Sequence, residues 1–78
     1  MTSAFILAQV NSGAGATGAI HSGLHAVPGV KTVHFVAGPT DLIIFVDAKD
    51  EAGLADAIGK IRAVPGVAST DTRIVLSM

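Results

Sequence analysis

Three histidines, six carboxylates, a glycine run and a Gly-Pro turn are the features through which this chain could do chemistry. His21 and His25 are four residues apart, a spacing that puts two imidazoles on one helix face, where they can hold a transition metal. They lie about 100 degrees off the Ile20/Leu24 stripe, and no third ligand is near in sequence, so a solvated helix flank accounts for them. His34 falls on an outer strand and could join them only through another subunit. Asp47, Asp50, Glu51 and Asp56 lack the alternating oxygen ligands of a calcium loop, and helix capping explains Asp50 and Glu51. No metal site is expected.

The run Gly13-Ala14-Gly15-Ala16-Thr17-Gly18 spells GxGxxG between an expected strand and an expected helix. A dinucleotide fingerprint needs an acidic residue about 20 positions further on. No Asp or Glu precedes Asp41, and 78 residues are too few for that fold. The run reads as a loop and a weak helix start, with no cofactor. There is no cysteine nucleophile, no serine in a GxSxG elbow and no His/Asp partner pattern, so no catalytic residue is nominated.

Gly38-Pro39-Thr40-Asp41 remains. Pro presets one dihedral, Gly supplies freedom and Asp bonds backbone amides, which makes a turn. The same residues make a cradle: loop amides hold a carboxylate and Asp41 holds an ammonium, and an amino acid carries both. Both readings stand on the residues alone.

The elements that position this loop come from a repeat. Ala26-Val27-Pro28-Gly29-Val30 recurs 37 residues later as Ala63-Val64-Pro65-Gly66-Val67. With the same offset and no gap, Phe5-Ile6-Leu7 falls on Leu42-Ile43-Ile44, Ile20 beside Ala57 and Leu24 on Ile61. Each half reads strand, helix, Pro-Gly break, strand. Leu54, Ile58 and Ile61 form one helical stripe and Ile20, Leu24 and Val27 the other. Strands are expected over 4–10, 30–37, 41–48 and 67–76, the first and third central because they are continuously apolar, the second and fourth at the edges. A βαββαβ order with right-handed crossovers predicts an α+β, ferredoxin-like sandwich, a single domain over 1–78, with helices on one face and the other face open.

Composition narrows the partners. Half the residues are hydrophobic, only 14% are charged, and mean hydropathy is +0.63. A chain this short hides only about 60% of its unfolded surface, so part of its apolar surface is expected to be buried between subunits. Five Lys and Arg scattered singly, a net charge of -1 and the lack of Tyr and Trp argue against direct nucleic-acid binding. The longest apolar runs are five residues each (Ala4 to Ala8, Leu42 to Val46), far short of the roughly 20 that span a bilayer, so no membrane span is expected. With no export signal and no cysteine, the expected location is cytoplasmic.

The order Ala4-Phe5-Ile6-Leu7, Val27-Pro28-Gly29-Val30, Val33-His34, Gly38-Pro39-Thr40-Asp41-Leu42, Ile61-Arg62, Val64-Pro65-Gly66-Val67 and Ser69-Thr70-Asp71-Thr72 resembles the ligand-sensing domain of the Lrp/AsnC (feast/famine) transcriptional regulators. The resemblance runs from about Ser3 to Leu76. It implies a dimeric α/β barrel made by packing two open sheet faces, with dimers assembling into an octamer or decamer. It also implies an amino-acid site between dimers, at the GxxD loop of one subunit and the end of the last strand of a neighbour. Carried over, this nominates Gly38, Pro39, Thr40 and Asp41, then Ser69, Thr70 and Thr72. Loop amides would take the carboxylate, while Asp41 would take the ammonium or fix the loop.

The regulators carry an N-terminal helix-turn-helix, which this sequence lacks, so the expected role is a stand-alone sensing and oligomerisation module acting through partners such as full-length Lrp/AsnC regulators. Three other readings share the fold: an ACT-like regulatory domain attached to an enzyme, a small cofactor-free enzyme of the dimeric α/β-barrel type, and a purely structural subunit of mixed oligomers.

Overall fold

The computed structural model describes residues 1–11 and 17–76. Of the glycine-rich run, residues 13–16 lie outside the described residues. The described elements are β1 (Thr2–Val10), α1 (Thr17–His25), β2 (Val30–Phe35), β3 (Leu42–Ala48), α2 (Glu51–Arg62) and β4 (Val67–Ile74). They form one antiparallel sheet ordered β2-β3-β1-β4, with β1 and β3 in the centre as their unbroken apolar character requires. This is the α+β, ferredoxin-like arrangement. β2 and β4 end earlier than expected, at Phe35 and Ile74, although Val36 N still donates to Asp41 O and Val75 N to Ser3 O, each at 2.9 Å.

One face of the sheet carries the core. Ala4, Ile6 and Ala8 of β1 and Leu42, Ile44 and Val46 of β3 are buried with Ile20, Leu24 and Val27 from the first helical stripe and Leu54, Ala57 and Ile61 from the second. Ile58, expected in that stripe, is only half-buried, and Ala57 takes its place against the sheet. Asp50 caps α2: its carboxylate accepts from Gly53 N at 2.8 Å and Glu51 follows in the first turn, where the helix dipole favours negative charge. Gly23 of α1 sits so close to Val64 that a Cβ there would lie 3.1 Å from Val64 Cγ1. The glycine therefore permits the approach of α1 to the chain leaving α2.

The two Pro-Gly breaks are the same turn. Gly29 and Gly66 adopt φ of +97° and +100°, and each following valine donates back across the turn, Val30 N to Val27 O and Val67 N to Val64 O, both at 3.2 Å. Pro followed by a positive-φ Gly is what a type II turn demands.

The strand part of the repeat corrects the expectation of a gapless register. An offset of 37 would set buried Ile6 on outward Ile43, because side chains alternate and an odd shift exchanges faces. The hydrogen bonds give the true pairing: Gly29 O accepts from Asp47 N and Gly66 O from Asn11 N, both at 2.9 Å, which relates the strands by one residue less than the turns. Ile6 then matches Leu42 and Ala8 matches Ile44, all buried.

The opposite face holds Phe5 and Leu7 beside Ile43 and Phe45, with the Phe5 and Phe45 ring centroids 5.0 Å apart. Phe5 remains 44% exposed, so this face is an uncovered apolar surface in the single chain. His34 flanks it on β2, opposite Ile43, and Asp71 and Arg73 flank it on β4.

Candidate functional site

The site is built where β1 ends, β3 begins and β4 begins. The β1–β3 ladder closes at Ala8 and Leu42. Asp41 extends it by one step: its amide donates to Ala8 O at 3.1 Å, and its carboxylate Oδ2 accepts from Val10 N at 3.1 Å. Its own carbonyl accepts from Val36 N at 2.9 Å, which ties both ends of the β2–β3 connection. Of the two roles open to Asp41, fixing the loop is the one its contacts show.

Gly38 has φ of +127°, where a side chain is strained, and a Cβ there would meet nothing within 4 Å. The loop tip is therefore open, with Gly38 and Pro39 exposed and Thr40 half-buried. Pro39 does more than preset a dihedral, for its carbonyl accepts from Gln9 Nε2 at 2.7 Å. The same Gln9 accepts from Ser69 Oγ through Oε1 at 3.3 Å. Gln9 thus joins the loop to β4 within one subunit.

Ser69 pairs with Gln9 across the sheet, and the next pair, Val10 with Val67, is shifted by a bulge that leaves Ala68 unpaired. Thr70 lies opposite Ala8 and Thr72 opposite Ile6, so both point to the helix side, away from the Gln9–Ser69 contact. They line a groove of about 490 Å³ between α2 and β4, with Ile58, Arg62, Val67 and Ser69. The nominated residues consequently divide into a loop group (Gly38 to Asp41, joined to Ser69) and a groove group (Thr70 and Thr72). Ser69, Thr70 and Thr72 all lie within β4, Val67–Ile74, with Ser69 and Thr70 in its first half.

Gln9 and Arg62 were absent from the expected set. Gln9 did leave a signal, because a polar residue breaks the apolar run of β1 at the point where its face reaches the loop. Arg62 left none, since a basic residue in the last turn of a helix is ordinary.

Elsewhere the electrostatics are local. Arg73 grips Asp71 through Nε at 3.2 Å and Nη2 at 2.8 Å, and the hydrogen bond and charge of the guanidinium hold the Asp71 carboxyl below its usual range. Asp47 accepts from Ser3 Oγ at 2.9 Å, an ordinary cross-strand pair. His21 and His25 are exposed, with ring centroids 4.4 Å apart, and His21 also lies 6.4 Å from the Phe35 ring. Among the described residues no three His, Cys, Asp or Glu side chains are grouped to share a metal, and no helix is long and apolar enough to cross a membrane.

Comparison with known proteins gives the site a setting. The family model for the Lrp/AsnC ligand binding domain matches residues 3–78. A stretch of 60 residues is 45% identical to homocitrate synthase of Sulfurisphaera tokodaii, covering 77% of this chain and 13% of that protein. The chain thus spans only a small part of the length of the curated relatives it matches. Among solved structures, hypothetical protein PHS023 from Pyrococcus horikoshii is 33% identical with a TM-score of 0.85, over 100% of this chain and 93% of that one. The feast or famine regulatory protein of M. tuberculosis, complexed with L-methionine, shares the fold at a TM-score of 0.83 and 22% identity, over 100% of this chain and 52% of that one.

Proposed function

The chain belongs to the Lrp/AsnC ligand-binding domain family, and from that premise we propose that residues 1–78 form one amino-acid-sensing and oligomerisation module that regulates a partner and is not itself a catalyst. The observation that carries the reading is the Pro39–Gln9–Ser69 chain of hydrogen bonds, which ties an open, glycine-tipped loop to the bulged start of β4. A ligand that seats on the loop would pull on β4 through one side chain, so occupancy can reach the groove and any neighbour resting on it. Exposed loop amides suit the carboxylate. Asp41, with one oxygen engaged by Val10 N, holds the loop and offers its other oxygen to an ammonium group. The L-methionine found with the M. tuberculosis protein of the same fold is in keeping with that ligand class.

Oligomerisation follows from the open face. Phe5, Leu7, Ile43 and Phe45 form a continuous apolar centre, and packing two such faces would cover it in a homodimer, with higher rings built from dimers.

A second setting has its own support. The similarity to homocitrate synthase places a related stretch inside an enzyme chain, so the regulated partner can be a metabolic enzyme as well as a full-length transcriptional regulator. The module's task is the same in both.

The test is a thermal shift of the purified protein against the twenty amino acids at millimolar concentration. A ligand at 100 times its dissociation constant adds about 2.7 kcal/mol, which moves the midpoint of a small domain by several degrees. A selective rise for one chemical class supports amino-acid sensing, and a flat panel overturns it.

A further inference from the structure

The groove between α2 and β4 has a composition that the loop does not explain. Ile58 and Val67 make its apolar side, Thr70 and Thr72 on the helix side of β4 give it hydroxyls, and Arg62 gives it a guanidinium. Among the described residues no Asp or Glu lines it. The cations nearest in sequence on the same two elements are paired, Lys60 with Asp56 at 3.0 Å and Arg73 with Asp71 at 2.8 Å. Arg62 has no ion pair and no side-chain hydrogen bond among the described residues.

We propose that Arg62 anchors the carboxylate of a small organic acid in this groove, with the Thr70 and Thr72 hydroxyls on the same group and a short aliphatic arm against Ile58 and Val67. The proposal rests on the reading of β4 as part of the ligand site and assigns the carboxylate to Arg62 in place of the loop amides, which makes Arg62 the residue that fixes ligand class. A guanidinium presents parallel N–H donors that match a carboxylate, and a charge-assisted pair of this kind is stronger than a neutral hydrogen bond. Hydroxyls beside it donate to the remaining lone pairs. With no acid in the groove, an ammonium group finds no partner there, so the groove selects the carboxylate and tolerates either an amino or an oxo group beside it. Amino acids and their 2-oxo acids share this chemistry.

The test compares wild type with Arg62→Gln and Arg62→Lys, using light scattering to confirm equal mass and calorimetry to measure binding. The probes are L-valine, L-methionine, their 2-oxo acids and their carboxamides, which lack the carboxylate. Arg62 is exposed at the end of α2, so neither substitution removes a core contact. The expected result is wild-type binding of the acids with carboxamides at least about tenfold weaker, a similar loss for the acids in Arg62→Gln and partial recovery in Arg62→Lys. Equal binding of the 2-oxo acids would identify an organic-acid site, and preference for the amino acids would show that a neighbouring subunit supplies the ammonium partner; both support Arg62 as anchor. Acid binding unchanged in Arg62→Gln overturns the anchor and leaves the sensing module standing, since Arg62 then only complements the helix dipole. No binding of any probe by wild type, together with a flat amino-acid panel, overturns both.

Discussion

Gln9 and Ser69 face each other across the β1–β4 pair at its bulge, with Ser69 Oγ donating to Gln9 Oε1 at 3.3 Å while Gln9 Nε2 donates to Pro39 O at 2.7 Å. One amide side chain thereby spends both of its ends on segments that are 30 and 60 residues away. Because these contacts are exposed, their net worth is modest, about 1 kcal/mol together. Gln9→Ala is expected to lower stability by about that amount in urea denaturation and to speed amide exchange at Gly38 and Thr40. An exchange rate at the loop equal to wild type would show that the bridge does not restrain it.

Asp41 gives a sharper contrast. Asp41→Ala leaves the half-buried Val10 amide without its acceptor, with an expected loss of about 1 to 2 kcal/mol. Asp41→Asn keeps an oxygen for that amide and is expected to lose about half as much, yet to weaken amino-acid binding because the charge is gone. Matching losses of stability in the two variants would place the role of Asp41 in its charge and not in the Val10 contact.

The turn glycines and Gly59 of α2 should respond with opposite signs. Gly66→Ala forces a side chain into φ near +100°, with an expected cost of about 1 to 2 kcal/mol, and Gly29→Ala behaves alike because the turns are equivalent. Gly59 lies on the exposed side of α2, where a Cβ would meet nothing within 4 Å, so Gly59→Ala is expected to stabilise by up to about 1 kcal/mol. Thermal midpoints of the three variants check the signs directly.

The open face makes the assembly breakable at one residue. Phe5→Glu places a charge beside Phe45, within the apolar centre, and is expected to reduce the mass seen by light scattering to that of a single chain. An unchanged mass would move the subunit contact to another surface.

Much of this fold was legible because helix stripes and turn chemistry are local. Ile20 with Ala57, Leu24 with Ile61, and Gly29 with Gly66 kept the offset read from sequence, and the apolar runs of β1 and β3 fixed the sheet centre. The strand register was not legible, because a single residue more or less in a connection exchanges the two faces without changing composition. For the same reason Thr70 and Thr72 could be nominated beside Ser69 without showing that they point the other way. Gln9 gains meaning only from Ser69 across the sheet and Pro39 in the loop, and Arg62 only from the β4 residues beside the end of α2; no spacing along the chain encodes either neighbourhood.

The measurement that tests the central claim most directly is hydrogen–deuterium exchange of the protein with and without millimolar amounts of the amino acid that raises its melting point most. Binding at the proposed site is expected to slow exchange in two separated segments together, residues 38–41 and 67–72, and to leave the α1 amides unchanged. Slowed exchange confined to α1, or at neither segment while the melting point still rises, would contradict it.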